Sequence, residues 1–214
     1  MKTELLAKWA ADNQVELTAN QLERLQLFQY EVLEANKYMN LTAIVNDTEF
    51  TIKHFIDSLT LLPWIKPGVS LVDIGTGAGF PGVPLKIARP DIRLTLLDST
   101  LKRVNFLQKT LVKLGIDDVV CVHARAENWA KSGDELYDVC TARAVAHLKT
   151  LAGYALGLLT PGGIFLAMKG PDVLAEVREA EPMIEKFGGA VRESRTVEIS
   201  DEIRHSVVVV EKVC

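Results

Sequence analysis

One stretch constrains this chain more than any other: Leu71-Val-Asp-Ile-Gly-Thr-Gly-Ala-Gly-Phe-Pro-Gly82, followed one helix-length later by Leu96-Leu-Asp98. Residues 71 to 74 are apolar except for Asp73 and predict a buried strand. Glycines at 75, 77 and 79 let the backbone turn sharply and pass close to a ligand where a Cβ would clash. An acid about 20 residues further on, Asp98, can accept hydrogen bonds from ribose hydroxyls. A strand, a glycine loop, a helix and a second strand ending in an acid point to an α/β sheet with a nucleotide-cofactor site.

The loop admits more than one cofactor. A literal G-x-G-x-x-G at Gly77, Gly79 and Gly82 fits a dinucleotide, whose pyrophosphate needs a helix N-terminus free of negative charge. Asp73 is expected beside the loop, where it would repel phosphate. S-adenosylmethionine carries an ammonium and a sulfonium and no phosphate, so it suits a carboxylate there. The alternatives are a nicotinamide or flavin site, and a structural glycine turn with Asp73 as its cap.

Around this stretch the apolar pattern divides the chain. Residues 1–65 read as three helices, with stripes at Leu5, Leu6, Trp9 and Ala10, then at Leu22, Leu25, Phe28, Val32 and Leu33. Thr18 and Gln21 form a capping box before the second. The third runs from about Asp47 to Pro63 with Ile52, Phe55, Ile56 and Leu59 on one face; Lys53, His54 and Asp57 fall opposite, on a face predicted to be solvated. From residue 66 strands near 70–75, 92–98, 118–123, 136–142 and 163–169 alternate with helices, and Val191 to Ile199 and Arg204 to Val213 form a hairpin joined by a short polar loop. The expected fold is α/β, a mostly parallel seven-stranded sheet covered on both faces, with a helical cap of residues 1–65 on a core of residues 66–214, packed as one compact unit. An apolar content of 48% in 214 residues supports such a core. The uncharged run 150–168 is broken by Pro161-Gly162-Gly163, so no membrane span is expected. Cysteines at 121, 140 and 214 form no close pair, which suits a reducing cytoplasmic compartment. Histidines at 54, 123, 147 and 205 lack ligand spacing, and no metal is expected.

Further motifs extend over nearly the whole chain: Asn36-x-x-x-Asn40-Leu-Thr42, His54-x-x-Asp57-Ser58, Leu97-Asp-Ser99 with Lys102-Arg-Val-x-Phe-Leu107, Arg125-Ala-Glu127, Arg143-Ala144, Lys169-Gly170 and Arg204-His205. With Asp73 to Gly82, they make the sequence resemble the bacterial ribosomal RNA small-subunit methyltransferase G family, formerly called glucose-inhibited division protein B. The resemblance implies a Rossmann-like class I S-adenosylmethionine-dependent methyltransferase. Its implied reaction is methylation of N7 of one guanosine in 16S rRNA, with the RNA or the small ribosomal subunit as partner; a monomer is expected. It also implies that Ala126 and Glu127 contact the cofactor near the adenine and that Arg143 belongs to the cofactor site. Spacing alone leaves two other functions open: methylation of a small metabolite, and a non-catalytic ribosome-assembly factor that senses S-adenosylmethionine.

Ligands bind at the carboxyl edge of such sheets. There Gly75, Gly77 and Gly79 are expected to line the methionine part and Phe80 to sit at the loop mouth. Asp98 is expected to accept from both ribose hydroxyls, or else to cap the following helix. Guanine N7 is a free lone pair, so the reaction is an in-line displacement governed by positioning. Arg143, Lys169 and Asn40 are the candidates to grip guanine O6. Each has a structural alternative: a carboxylate partner for Arg143, a solvated strand end for Lys169, a helix terminus for Asn40. With 24 basic against 28 acidic residues the chain lacks a global basic footprint. RNA contact is therefore expected from a local patch of Lys53, Arg143, Lys169, Arg192, Arg195, Arg204 and Lys212.

Overall fold

The computed structural model describes residues 1–132, 135–200 and 203–214, so the polar loop expected at Asp201 and Glu202 lies outside the described residues. Because Leu71, Val72 and Ile74 are apolar on both faces, their strand is stable only where both faces and both edges are covered. Accordingly β1 (Ser70–Ile74) lies inside the sheet, flanked in parallel by β2 (Arg93–Asp98) and β4 (Tyr137–Arg143). Outside these lie β3 (Val119–His123) and β5 (Leu159–Lys169), then β7 (Ile203–Lys212) and β6 (Gly189–Ser200). The order is β3-β2-β1-β4-β5-β7-β6, and β7 alone runs against the rest. This is the expected seven-stranded, mostly parallel sheet. β5 begins earlier than expected, and Pro161-Gly162-Gly163 lies within it. A register shift opposite Tyr137 and Val139 absorbs the irregular residues as a bulge.

Helices cover both faces. On one, α7 (Ala126–Ser132), α8 (Leu148–Gly157) and α9 (Leu174–Lys186) cover Val72, Cys140, Phe165 and Val208. On the other lie α5 (Gly82–Ala88), α6 (Leu101–Lys113) and the amino-terminal helices α1 (Thr3–Asp12) and α2 (Ala19–Met39). Leu6, Leu25, Phe28 and Val32 share one apolar cluster with Leu71, Leu96, Phe106 and Val209. The predicted capping box starts α2: Thr18 Oγ1 accepts from the Gln21 N–H and Gln21 Oε1 from the Thr18 N–H. Gln21 Nε2 also donates to the carbonyls of Ile87 and Ala88 at 2.8 and 3.0 Å, so one side chain starts α2 and satisfies the end of α5.

The third helix departs from the sequence reading. It consists of α3 (Asp47–Phe50), a π-helical turn (Thr51–Ile56) and α4 (Asp57–Leu59). A wider turn rotates successive side chains by less than an α-helix does. The 3.6-residue wheel that put His54 and Asp57 in solvent therefore loses phase across it. His54 and Asp57 are only 7% and 9% exposed, and Ser58 is fully buried.

Candidate active site

Strands β1 to β4 all end at one edge, and the chain leaving each helps line a cavity of about 250 Å³. Gly75 comes from β1, Asp98 and Ser99 from β2, Ala126 and Glu127 follow β3, and Val145 and Ala146 follow β4. Gly75 has φ +64, and a Cβ there would stand 2.8 Å from Val145 Cγ2, so only glycine lets the β4 exit loop close on it. The Gly77 N–H donates to Asp98 Oδ2 at 3.0 Å and the Thr100 N–H to Oδ1 at 2.8 Å. Asp98 is 3% exposed, with Arg103 Nη1 3.6 Å away. Each of its oxygens accepts one backbone bond and has capacity for a second. Asp98 therefore orders the start of the following helix and still offers acceptors to a diol; the two expectations are compatible.

Three loop residues sit elsewhere than expected. Gly79, at φ +104, faces the core: a Cβ would lie 2.8 Å from Val83 and 3.0 Å from Phe28, so it permits packing instead of lining the cavity. Asp73 is 0% exposed and lies beneath the loop. Its Oδ2 accepts from Thr76 Oγ1 at 2.7 Å and the Gly82 N–H at 3.0 Å, and its Oδ1 from Thr141 Oγ1 at 3.1 Å. It is the loop cap, out of range of the phosphate contact invoked against a dinucleotide. Burial pushes its carboxyl up to about 6 against the opposing pull of these three donors. Phe80 is buried, not at the loop mouth. Its ring lies 5.2 Å from Phe28, 5.8 Å from Phe50 and 6.1 Å from Phe55, and it stacks on His54 at 4.4 Å. Burying such a ring is worth about 2–3 kcal/mol, which outweighs exposure at a loop tip.

Arg143 is held behind Phe80, its guanidinium carbon 5.1 Å from the ring centroid. Nη1 donates to Asp57 Oδ2 at 2.8 Å and Lys53 O at 2.9 Å, and Nη2 to His54 Nδ1 at 3.0 Å. With Nδ1 accepting, the His54 proton is on Nε2, which lies 2.9 Å from Thr42 Oγ1. Burial and then the Arg143 charge push His54 down to about 3, so it is neutral. On the other side His205 Nδ1 approaches Asp57 Oδ1 at 2.7 Å, off the angle of a hydrogen bond. Burial pushes Asp57 up, but His205 and Arg143 outweigh it and hold the carboxyl below its usual range. Arg143 is thus paired with a carboxylate and is not free to grip a base.

Of the other two candidates, Lys169 is also committed and Asn40 is exposed. Lys169 Nζ donates to Ala146 O at 2.6 Å and pairs with Glu176 Oε1 at 2.7 Å, while Glu176 accepts from the Leu148 N–H. Lys169 and Glu176 thereby fasten the loop whose Val145 and Ala146 line the cavity. Asn40 terminates α2 in the left-handed region, φ 51 and ψ 54, with its side chain exposed. The expected basic patch does not gather. Lys53, Arg192 and Arg195 pair with Glu49, Glu211 and Glu193, each at 2.6 Å. Arg192 and Lys212 lie near one end of the β6–β7 hairpin, whereas Arg204, opposite Glu198, lies near the other. Sequence reasoning missed Ser99, Val145, Ala146 and Tyr154 in the cavity wall, although Ser99 directly follows β2 and Val145 and Ala146 lie two and three residues beyond Arg143.

The family model described as rRNA small subunit methyltransferase G matches residues 21–207. Among curated relatives, the ribosomal RNA small subunit methyltransferase G of Clostridium botulinum (strain Loch Maree / Type A3) is 43% identical over 208 residues, 94% of this chain and 87% of that one. The protein of the same name from Clostridium novyi (strain NT) is 43% identical over 211 residues, 95% of this chain and 86% of that one. Solved structures share the fold. A methyltransferase from Pyrococcus furiosus has a TM-score of 0.58 at 14% identity, covering 90% of this chain and 99% of that one. M. jannaschii TYW2 in complex with AdoMet has a TM-score of 0.56 at 14% identity, covering 74% of this chain and 76% of that one.

Proposed function

Since the chain belongs to the rRNA small subunit methyltransferase G family, we propose that it transfers a methyl group from S-adenosylmethionine to N7 of a guanosine in 16S ribosomal RNA. The observation that carries the cofactor is Asp98, a buried carboxylate held by two backbone N–H groups at the wall of the cavity beside the glycine loop. That carboxylate suits a ribose diol as acceptor, and beside Gly77 a Cβ would meet only Gly75 O at 3.9 Å, leaving room for a ligand against the backbone. S-adenosylmethionine, when bound, supplies a methyl group already activated by its sulfonium.

In this reading Gly75 and Gly77 let the backbone approach the amino-acid part, Asp98 accepts from the ribose, and Ala126 and Glu127 flank the adenine. Lys169 and Glu176 position the Val145–Ala146 wall. Arg143, clamped by Asp57 and His54, fixes the end of β4, and Asn40, exposed at the end of α2, is the candidate to meet the base. No residue has to remove a proton, because guanine N7 attacks as a free lone pair. Residues 1–65 serve as a cap and residues 66–214 as the cofactor-binding core. We take the enzyme to act as a monomer in the cytoplasm on the small ribosomal subunit; no described helix is long and apolar enough to cross a membrane. The test is incubation with tritiated methyl donor and small subunits from cells lacking this chain, followed by mapping of the labelled base. Label on guanine N7 of 16S rRNA is expected; label only on small molecules, or none, overturns the assignment.

A further inference from the structure

A second and larger cavity, about 590 Å³, lies between α2 and α6, outside the cofactor site. Two facing stripes build it, one containing Tyr30 and Tyr38, the other Lys102 and Lys109. Tyr30 is 58% exposed and Tyr38 77%. Exposed tyrosines on a monomeric surface are common singly, but two on one groove wall present flat aromatic faces to a shared partner. The acids nearby are already answered, Glu31 by Lys113 and Glu34 by Lys37, each at 2.7 Å. Lys102 and Lys109 have no acidic partner among the described residues, so the groove keeps uncompensated positive charge next to its aromatic faces.

The groove is also correctly placed for the substrate. Because Lys113 meets Glu31 while a Cβ at Gly115 would lie 3.8 Å from Arg24 Nη2, α2 and α6 run antiparallel, and the Tyr38 end of one faces the Lys102 end of the other. Lys102 lies four residues after Asp98, so this end opens at the edge of the sheet where the cofactor cavity lies. From there the groove runs about 12 Å along α2 to Tyr30, at ~1.5 Å per residue. That length matches about three to four nucleotides stacked at ~3.4 Å each. Aromatic faces for stacking beside cations for phosphate are what single-stranded nucleic acid requires.

We infer that this groove holds a short single-stranded RNA segment adjoining the target guanosine, with bases stacked on Tyr38 and Tyr30 and phosphates met by Lys102 and Lys109. The inference rests on the RNA methylation proposed above. Small subunits lacking the methyl group are methylated by the parent, by the Tyr30→Ala/Tyr38→Ala and Tyr30→Phe/Tyr38→Phe double variants, and by Lys102→Ala/Lys109→Ala. The alanine pair for tyrosine is expected to lower kcat/KM by about tenfold or more, and the phenylalanine pair to stay within about twofold, since stacking needs the ring and not the hydroxyl. The lysine pair is expected to reduce the slope of log kcat/KM against log salt by about 1.4. Melting temperature and S-adenosylmethionine affinity by calorimetry stay at parental values. Parental kcat/KM in the tyrosine-to-alanine variant overturns the inference, as does equal damage from phenylalanine or a loss of cofactor affinity. A defect on whole subunits that vanishes on deproteinised 16S rRNA would make the groove a protein-binding face and also overturn it. Failure of the parent itself to methylate small subunits would instead sink the assigned reaction.

Discussion

Two charged side chains at strand ends, Asp98 and Arg143, show how context decides what a residue does. Asp98 faces a cavity with spare acceptor capacity, so Asp98→Ala should weaken S-adenosylmethionine binding by about 1–3 kcal/mol. Calorimetry on parent and variant measures this, and equal affinities would remove the ribose contact. Arg143 faces Asp57 and His54 in a buried cluster, and its consequences are for stability. His54 is pushed down to about 3, below its ordinary 6.5, so as pH falls the unfolded chain takes up its proton first. Stability contributed by neutral His54 is therefore complete above about pH 7 and is lost as pH falls from 6.5 toward 3. At ~1.36 kcal/mol per unit this amounts to about 2 kcal/mol by pH 5. Urea midpoints for parent and His54→Gln between pH 7 and 5 should show a flatter dependence in the variant. The raised carboxyl of Asp73 acts in the opposite sense but is common to both proteins and cancels in the comparison. Parallel curves would mean that His54 is not held neutral. The glycine loop and Asp98 were readable from the sequence because their spacing is local. The cluster was not, since it joins positions 54, 57, 143 and 205 through the fold. The one local hint was His54, Asp57 and Ser58 interleaved with the apolar stripe of Ile52, Phe55, Ile56 and Leu59.

Among the elements, the connection from β4 to α8 carries backbone tension. Ala144 adopts φ +53, a left-handed conformation that costs about 1–2 kcal/mol for a residue with a Cβ. The turn lets Arg143 reach inward to Asp57 while Val145, two residues on, covers Gly75. Ala144→Gly should relieve the steric cost and give back part of it as glycine's extra unfolded-state freedom, for a net gain of about 0.5–1 kcal/mol. Thermal unfolding measures this, and a lower melting temperature would show that the conformation is unstrained. The parallel sheet follows from alternating apolar runs and helices, and the Thr18–Gln21 box marked the start of α2 correctly. Two elements escaped the pattern. The π-helical turn at Thr51–Ile56 changes the angular period that the wheel assumes, and β5 tolerates proline and glycines by bulging where the local sequence reads as a turn.

The molecule as a whole needs no titrating base for the proposed chemistry. The single-turnover rate at saturating substrates should stay level, within about twofold, from about pH 7 to 9. His54 is neutral throughout this range and Asp73, near 6, has already ionised. A rate that climbs about tenfold per pH unit, and ceases to do so on replacement of one carboxylate or histidine, would rule out guanine N7 as the acceptor. The sheet order also bears on translation. β7 lies between β5 and β6 yet follows both in the chain, so β6 has no partner and β5 keeps a bare outer edge until residues 203–212 have left the ribosome. Throughout the synthesis of α9 and β6, the nascent polypeptide displays the backbone donors and acceptors of an eleven-residue strand. That interval is when a neighbouring nascent chain on the same messenger would find a template for misassembly.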